Sequence, residues 1–420
     1  MTKTLILLGA TGSIGRQTLE CVDEANRRHP GSFRIVGLSA NKDLQGLIAL
    51  AHRYPEARLA LAGSPCPLGG DSPARSGSHP ARSGSSARSA APAGGNPRIR
   101  RAAAEDNPRL SFTGGDAVEK LLARCDADLV VNGIAGSPGL LASYSALENG
   151  MNLALANKES VVMGYSLLST MAGKKNLSII PVDSEHAALF QLIGRCGSKS
   201  VRELCITASG GPFRDRPLKE LAAISPAQAA AHPVWKMGRK ISIDSATLAN
   251  KGLELIEAVR LFGFSEEKVK VLIHPESLVH SLVRTIDGSL YANMSNPDMR
   301  LPIDIALHWP EELESAFGRL DLAGKTLSFF EPDCLRFPML QLAREALRQS
   351  ESATIAYNAS NEIAVAAFDE GRIRFTDIAS VVADTLNAGW SFPAGDLDSI
   401  FYHDGKAREK ARSFVAEIQC

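Results

Sequence analysis

A short apolar run at residues 4–8 leads straight into Gly9-Ala10-Thr11-Gly12-Ser13-Ile14-Gly15, and a helix-like segment follows at 16–26. Strand, glycine turn, helix is the order that most restricts what this chain can build. A strand that is to be followed by a parallel neighbour needs a crossover, and a helix is the usual way to make one. The alternation repeats: a strand at 33–39, a helix at 44–54, a strand at 58–62, then a helix at 116–124, a strand at 128–133, a helix at 140–149 and a strand at 152–156. Such repetition predicts an α/β chain with a doubly wound, Rossmann-type parallel sheet over residues 1–182.

Beyond that point the pattern changes. Residues 183–308 mix strands, turns and polar motifs as an α+β catalytic domain does, with a candidate lid at about 229–240. A linker at 309–335 precedes mostly helical segments at 334–349, 354–369, 375–388 and 405–417, which predict a C-terminal helical bundle over 336–420. Between about 63 and 107 the composition shifts to serine, glycine, proline, alanine and arginine, with the near-repeat Pro73-Ala74-Arg75-Ser76-Gly77-Ser78 and Pro80-Ala81-Arg82-Ser83-Gly84-Ser85. A stretch with so little to bury cannot offset its ordering entropy, so a disordered insertion is expected there.

With 420 residues, 45% of them hydrophobic, the chain has material for two or three cores. Lysine plus arginine and aspartate plus glutamate both number 46, so no whole-molecule field gathers nucleic acid or an acidic membrane, and any anion must be held locally. The seven cysteines are scattered without zinc or disulfide spacing, which fits a reducing, cytoplasmic setting. No apolar run approaches membrane-spanning length.

A glycine turn ahead of a helix lets backbone approach a pyrophosphate and offers it free amides. The spacing here is G-x-x-G-x-x-G, and a tight turn that simply needs glycine is the plain alternative. After the second strand comes Asn41-Lys42-Asp43, where an NAD-specific protein would usually place an acid on the ribose. Lys42 there would suit the extra phosphate of NADP, or be an ordinary surface lysine.

The run Ser178-Ile179-Ile180-Pro181-Val182-Asp183-Ser184-Glu185-His186 predicts a buried strand ending in two acids. Residues two apart in an extended chain share a side, so Asp183 and Glu185 could bind one cation; a helix cap or solvated turn is the alternative. Oxygen ligands favour magnesium or manganese over zinc. Candidates for a third ligand lie in a predicted helix at 250–260, where Asn250, Lys251 and Glu254 share a face and Glu257 competes by position. Upstream, Thr207-Ala208-Ser209-Gly210-Gly211 is a strand running into a glycine turn; Ser209, Ser245, Asn250 and Lys251 have the donors a phosphate requires. Finally, His232-Pro233-Val234-Trp235-Lys236-Met237-Gly238 is a polar, proline-interrupted stretch suited to a mobile cover, unless Trp235 is core.

Taken together, these motifs, with Ala-Asn-Lys-Glu-Ser at 156–160, Asp-Ser-Ala-Thr at 244–247, His-Pro-Glu-Ser at 274–277 and Asn-Ala-Ser-Asn-Glu at 358–362, resemble the 1-deoxy-D-xylulose 5-phosphate reductoisomerase family of the non-mevalonate isoprenoid pathway. The resemblance spans everything but the insertion, and the Asn41-Lys42-Asp43 turn departs from the family's Gly-Lys-Asn. It implies an NADPH-dependent oxidoreductase that converts 1-deoxy-D-xylulose 5-phosphate to 2-C-methyl-D-erythritol 4-phosphate by retro-aldol and aldol steps followed by hydride reduction. It also implies a homodimer and a magnesium or manganese ion held by Asp183, Glu185 and Glu254. Lys158, Glu185 and His232 would be catalytic. Ser184, Ser209, Trp235, Ser245, Asn250 and Lys251 would join Lys158, Glu185, His232 and Glu254 in binding substrate. Thr11, Gly12, Ser13, Ile14, Asn41, Lys42, Asp43, Asn157, Glu159 and Gly238 fall at the cofactor-binding positions.

The nearest enzymatic rival is another NADP-dependent semialdehyde or sugar dehydrogenase, which would need a cysteine nucleophile or a tyrosine–lysine acid. A non-catalytic nucleotide-binding protein is a different class, in which the three carboxylates would be dispensable.

Overall fold

The computed structural model describes residues 2–63, 110–231, 234–235 and 238–419. The expected insertion falls almost wholly outside these residues, as do His232, Pro233, Lys236 and Met237 of the candidate lid.

Seven strands form one parallel sheet: β1 (Lys3–Leu8), β2 (Phe33–Ala40), β3 (Arg58–Leu61), β4 (Leu110–Thr113), β5 (Leu129–Asn132), β6 (Asn152–Leu155) and β7 (Ile179–Pro181). Between them run α1 (Ser13–Arg28), α2 (Leu44–Arg53), α3 (Ala117–Arg124), α4 (Pro138–Glu148) and α5 (Lys158–Lys175). Successive side chains of a strand face opposite ways, so a strand covered on both faces must be apolar throughout. β1 obeys this: Leu5 and Leu7 pack with Leu19 and Val22 of α1, whereas Ile6 and Leu8 pack with Leu121 of α3 and Leu140 of α4. Each is completely buried, contributing about 1.5–3 kcal/mol.

The strand order is β4-β3-β2-β1-β5-β6-β7. The chain winds outward from β1 in one direction and then returns to wind outward in the other. Reversal between β1 and β5 opens a crevice beyond their carboxyl ends, where ligands of such sheets sit.

After β7 come α6 (Ser184–Cys196), β8 (Val201–Ala208), the single turn α7 (Pro226–Ala229), α8 (Arg239–Ala246), α9 (Ala249–Phe262), β9 (Val269–Ile273), β10 (Val279–Thr285), β11 (Leu290–Met294) and α10 (Arg300–His308). The strands make a second, mixed sheet in the order β11-β10-β8-β9. α10 returns to the first sheet, where Ile303 and Leu307 join the core beside Leu19. The close is helical: α11 (Met339–Gln349), α12 (Glu351–Asp369), α13 (Asp377–Asn387) and α14 (Leu397–Gln419). α11 starts five residues later than its pattern predicts, directly behind Pro338, whose fixed φ suits a helix entrance. Ser352 to Asn361 of α12 are buried on every face, which makes α12 the axis around which the other helices pack.

Candidate active site

The crevice begins at the turn after β1. Gly9 adopts φ +75°, and a side chain on Gly15 would meet the carbonyl oxygen of Gly9 at 2.4 Å, so α1 can start this close to the strand only with glycine at both places. No side chain among the described residues caps α1, whose first residues, Ser13 and Ile14, line a cavity of about 1230 Å³. Across the reversal the opposite wall is Gly133-Ile134-Ala135, held from below by Asn157. The Asn157 amide donates to the carbonyls of Ile134 (2.9 Å) and Gly136 (3.0 Å) and to Glu159 Oε2 (2.8 Å). Its Oδ1 accepts the Ser160 N–H and caps α5.

Of the cofactor-binding candidates, Gly12, Ser13, Ile14, Glu159 and Gly238 line the cavity. Thr11, Asn41, Lys42, Asp43 and Asn157 do not. Asp43 instead caps α2 by accepting the Gly46 N–H at 2.8 Å, and Asn41 and Lys42 lie exposed at the end of β2.

The far end of the cavity is acidic. The strand ends at Pro181, so Asp183 and Glu185 are not neighbours on one side of an extended chain, as the sequence suggests. Asp183 is the N-cap position of α6 and Glu185 lies in its first turn. A helix start aims both carboxylates at the crevice in place of the strand alternation. Glu254 reaches them from α9, and ligand oxygens of Asp183, Glu185 and Glu254 lie within 4.8 Å of one another.

Two lysines sit among them. Lys158, the first residue of α5, donates to Asp183 Oδ2 (2.8 Å), Glu254 Oε1 (3.1 Å) and Asn250 Oδ1 (2.6 Å). Lys251 donates to Glu185 Oε1 at 2.6 Å and to Glu254 Oε2. Burial opposes the Lys158 charge, but Asp183 and Glu254 outweigh it and hold the ammonium protonated. Burial would raise the Asp183 carboxyl, yet Lys158 keeps it well below the usual range. Glu185 behaves oppositely: burial and the neighbouring Glu254 push it up to about 7.

Glu257, the competing ligand, forms a second triad with Asp183 and His186. That triad points away from the cleft, since His186 and Glu257 are buried and do not line the cavity. His186 spends Nε2 on the Glu254 carbonyl (2.9 Å). The triad open to a ligand is therefore Asp183, Glu185 and Glu254. Three carboxylates against two ammonium groups leave surplus negative charge on hard oxygen donors, which fits a divalent cation such as magnesium or manganese.

Ser184, Ser209, Ser245, Asn250, Lys251 and Trp235 all border this end of the cavity. Ser209 follows β8 in a turn whose Gly211 lies against the Ser245 carbonyl, with no room for a side chain. His232 lies outside the described residues.

The lining also includes residues that sequence reasoning passed over. Gly133 to Ala135 follow a strand just as Gly9 to Gly15 do, and that parallel was the available signal. Lys240 and Asp244, one helical turn apart, form an ion pair at 2.8 Å. Asn296 to Arg300 close the side toward α1, where Arg300 grips Asp298 at 2.8 Å and lies over the Phe317 ring; nothing in that segment's pattern announced it.

Three family models match the chain: 1-deoxy-D-xylulose 5-phosphate reductoisomerase over residues 5–64 and 96–164, its C-terminal domain over 179–262, and a DXP reductoisomerase C-terminal domain over 294–410. Among curated relatives, the reductoisomerase of Chlorobium limicola is 42% identical over 98% of this chain and 100% of its own. That of Ralstonia nicotianae is 42% identical over 98% of each. A solved DOX-P reductoisomerase in complex with NADPH, fosmidomycin and magnesium superposes with a TM-score of 0.84 at 35% identity, over 99% of this chain and 98% of that one. The Zymomonas mobilis reductoisomerase in complex with NADPH gives 0.82 at 35%, over 99% of each chain.

Proposed function

This chain belongs to the 1-deoxy-D-xylulose 5-phosphate reductoisomerase family, and we infer that it rearranges and reduces 1-deoxy-D-xylulose 5-phosphate to 2-C-methyl-D-erythritol 4-phosphate with NADPH and a divalent metal. The observation that carries this reading is the convergence of Asp183, Glu185 and Glu254 with Lys158 at the end of a crevice that begins at the first glycine turn.

Asp183, Glu185 and Glu254 would hold the cation, which when bound supplies Lewis acidity at the substrate's carbonyl and hydroxyl oxygens. Lys158 keeps a proton on Nζ and sets positive charge beside the oxygens on which negative charge grows. Ser209, Ser245, Asn250 and Lys251 bind the phosphate, Ser184 the hydroxyls. Trp235 and His232 belong to the cover that excludes water. The turn at Thr11 to Ile14 takes the cofactor pyrophosphate, with Glu159, Asn157 and Gly238 around the nicotinamide half and Asn41, Lys42 and Asp43 near the ribose phosphate.

Boundaries near 182, 308 and 335, a cytoplasmic location and a homodimer complete the reading. The five cysteines among the described residues are free thiols, which suits a reducing compartment, and no helix among the described residues is long and apolar enough to cross a membrane. The outer edge of β11 has no strand partner among the described residues and exposes Leu290 and Tyr291, a natural seat for a second copy. A cysteine-dependent dehydrogenase is disfavoured, because no cysteine among the described residues lines the cavity.

NADPH oxidation by the purified protein with this sugar phosphate should stop on adding a chelator and return with excess magnesium or manganese. A rate indifferent to chelator would defeat the reading. A second expectation follows from Glu185. Its carboxyl, raised to about 7, is protonated below that pH, and the proton competes with a cation. Apparent magnesium affinity of the metal-free protein should then fall about tenfold per pH unit below neutrality and level off above it. Calorimetric titration would show this, and an affinity unchanged at acid pH would contradict it.

A further inference from the structure

The C-terminal helices meet the lining of the cleft at a buried point on α8. Asn361 of α12 is completely buried, and its Nδ2 donates to Asp244 Oδ1 on α8 at 2.8 Å. Asp244, itself 1% exposed, accepts from Lys240 through its other oxygen at 2.8 Å. Lys240 continues to Glu159 Oε1 at 3.4 Å, and Glu159 Oε2 takes the Asn157 amide that supports the Ile134 and Gly136 carbonyls. An unbroken polar relay thus links α12 to α8 and to the Gly133–Ala135 wall of the cavity, and Ser245, which borders the cavity, is the residue after Asp244.

As filler, an amide is a poor choice at this place. The Asn361 oxygen has no hydrogen-bond partner among the described residues, so the side chain buries an unmet polar atom that an apolar residue would not. Its orientation is forced: only the amide nitrogen can face a carboxylate, so the oxygen is left over. As a donor to a buried carboxylate, the same amide is well chosen.

We propose that Asn361 is a positioning residue for the sugar phosphate site, fixing Asp244 so that α8 presents Ser245 and Lys240 to the cleft. The proposal rests on the function inferred above and gives the C-terminal bundle a part in turnover beyond packing.

The test replaces Asn361 with aspartate, which keeps the shape but sets two carboxylates face to face, and separately with alanine, which removes the donor. In the double variant D244N/N361D the amide and the carboxylate change places. Each is assayed well below its own melting midpoint. N361D and N361A should lose at least about tenfold in kcat/KM for the sugar phosphate while folded, and the exchange should recover most of it. Folded N361D or N361A with wild-type kinetics would overturn the proposal, as would an exchange that restores the melting midpoint but not kcat/KM. If N361D does not fold, N361A and the exchange decide alone. Absence of metal-dependent turnover in the unaltered protein would instead sink the functional reading.

Discussion

Glutamine in place of Glu254 should lower kcat/KM for the sugar phosphate roughly a thousandfold, because a ligand charge worth several kcal/mol of transition-state stabilisation is lost. Of the three acids Glu254 is the most enclosed, its side chain 2% exposed against 16% for Asp183 and Glu185. It also touches most: Lys158 and Asn250 meet one oxygen and Lys251 the other. Removing one negative charge leaves two carboxylates against two ammonium groups and no surplus to attract a cation. The substitution is isosteric, so thermal unfolding should show a folded protein. Turnover and magnesium affinity both near wild type would remove Glu254 from the site.

Methionine at Lys158 should cost at least about a hundredfold in kcat through loss of the charge beside the reacting oxygens, and its signature differs. The ammonium now occupies carboxylate oxygens of Asp183 and Glu254 that a cation would use. Relieved of that competitor, the site should bind magnesium at least as tightly as wild type while turnover collapses. Loss of metal affinity in step with kcat would mean that Lys158 only organises the acids.

Much of this was legible along the chain, because β1, the glycine turn and α1 are local features with strong periods. Strand limits at β1, β2 and β3 agree with the alternation to within a residue or two. The strand alternation that the sequence suggests for Asp183 and Glu185 does not hold, since helix initiation and not strand pleating brings them together. Aspartate before an apolar run is equally a capping signal, and nothing local decides between cap and ligand; Asp43 took the capping role. Long-range meetings entered only through the family resemblance, and the Asn361–Asp244 pair not at all. Lys158 and Glu254 are 96 positions apart, Asn361 and Asp244 117 apart, and no periodicity reports such meetings. The start of α14 at Leu397 was missed because its first turn is anchored by packing against the sheet side, through Ile400, more than by its own pattern.

At the first turn of α5, three consecutive side chains serve three clients: Asn157 the loop beneath the crevice, Lys158 the acids, and Glu159 the lysine of α8. Each residue advances the helix by about 100°, so all three bearings depend on a single angular phase. A substitution here disturbs one client at a time, whereas one inserted or deleted residue would swing every bearing off target together. The length of this junction is thus under tighter constraint than the identity of any one of its side chains.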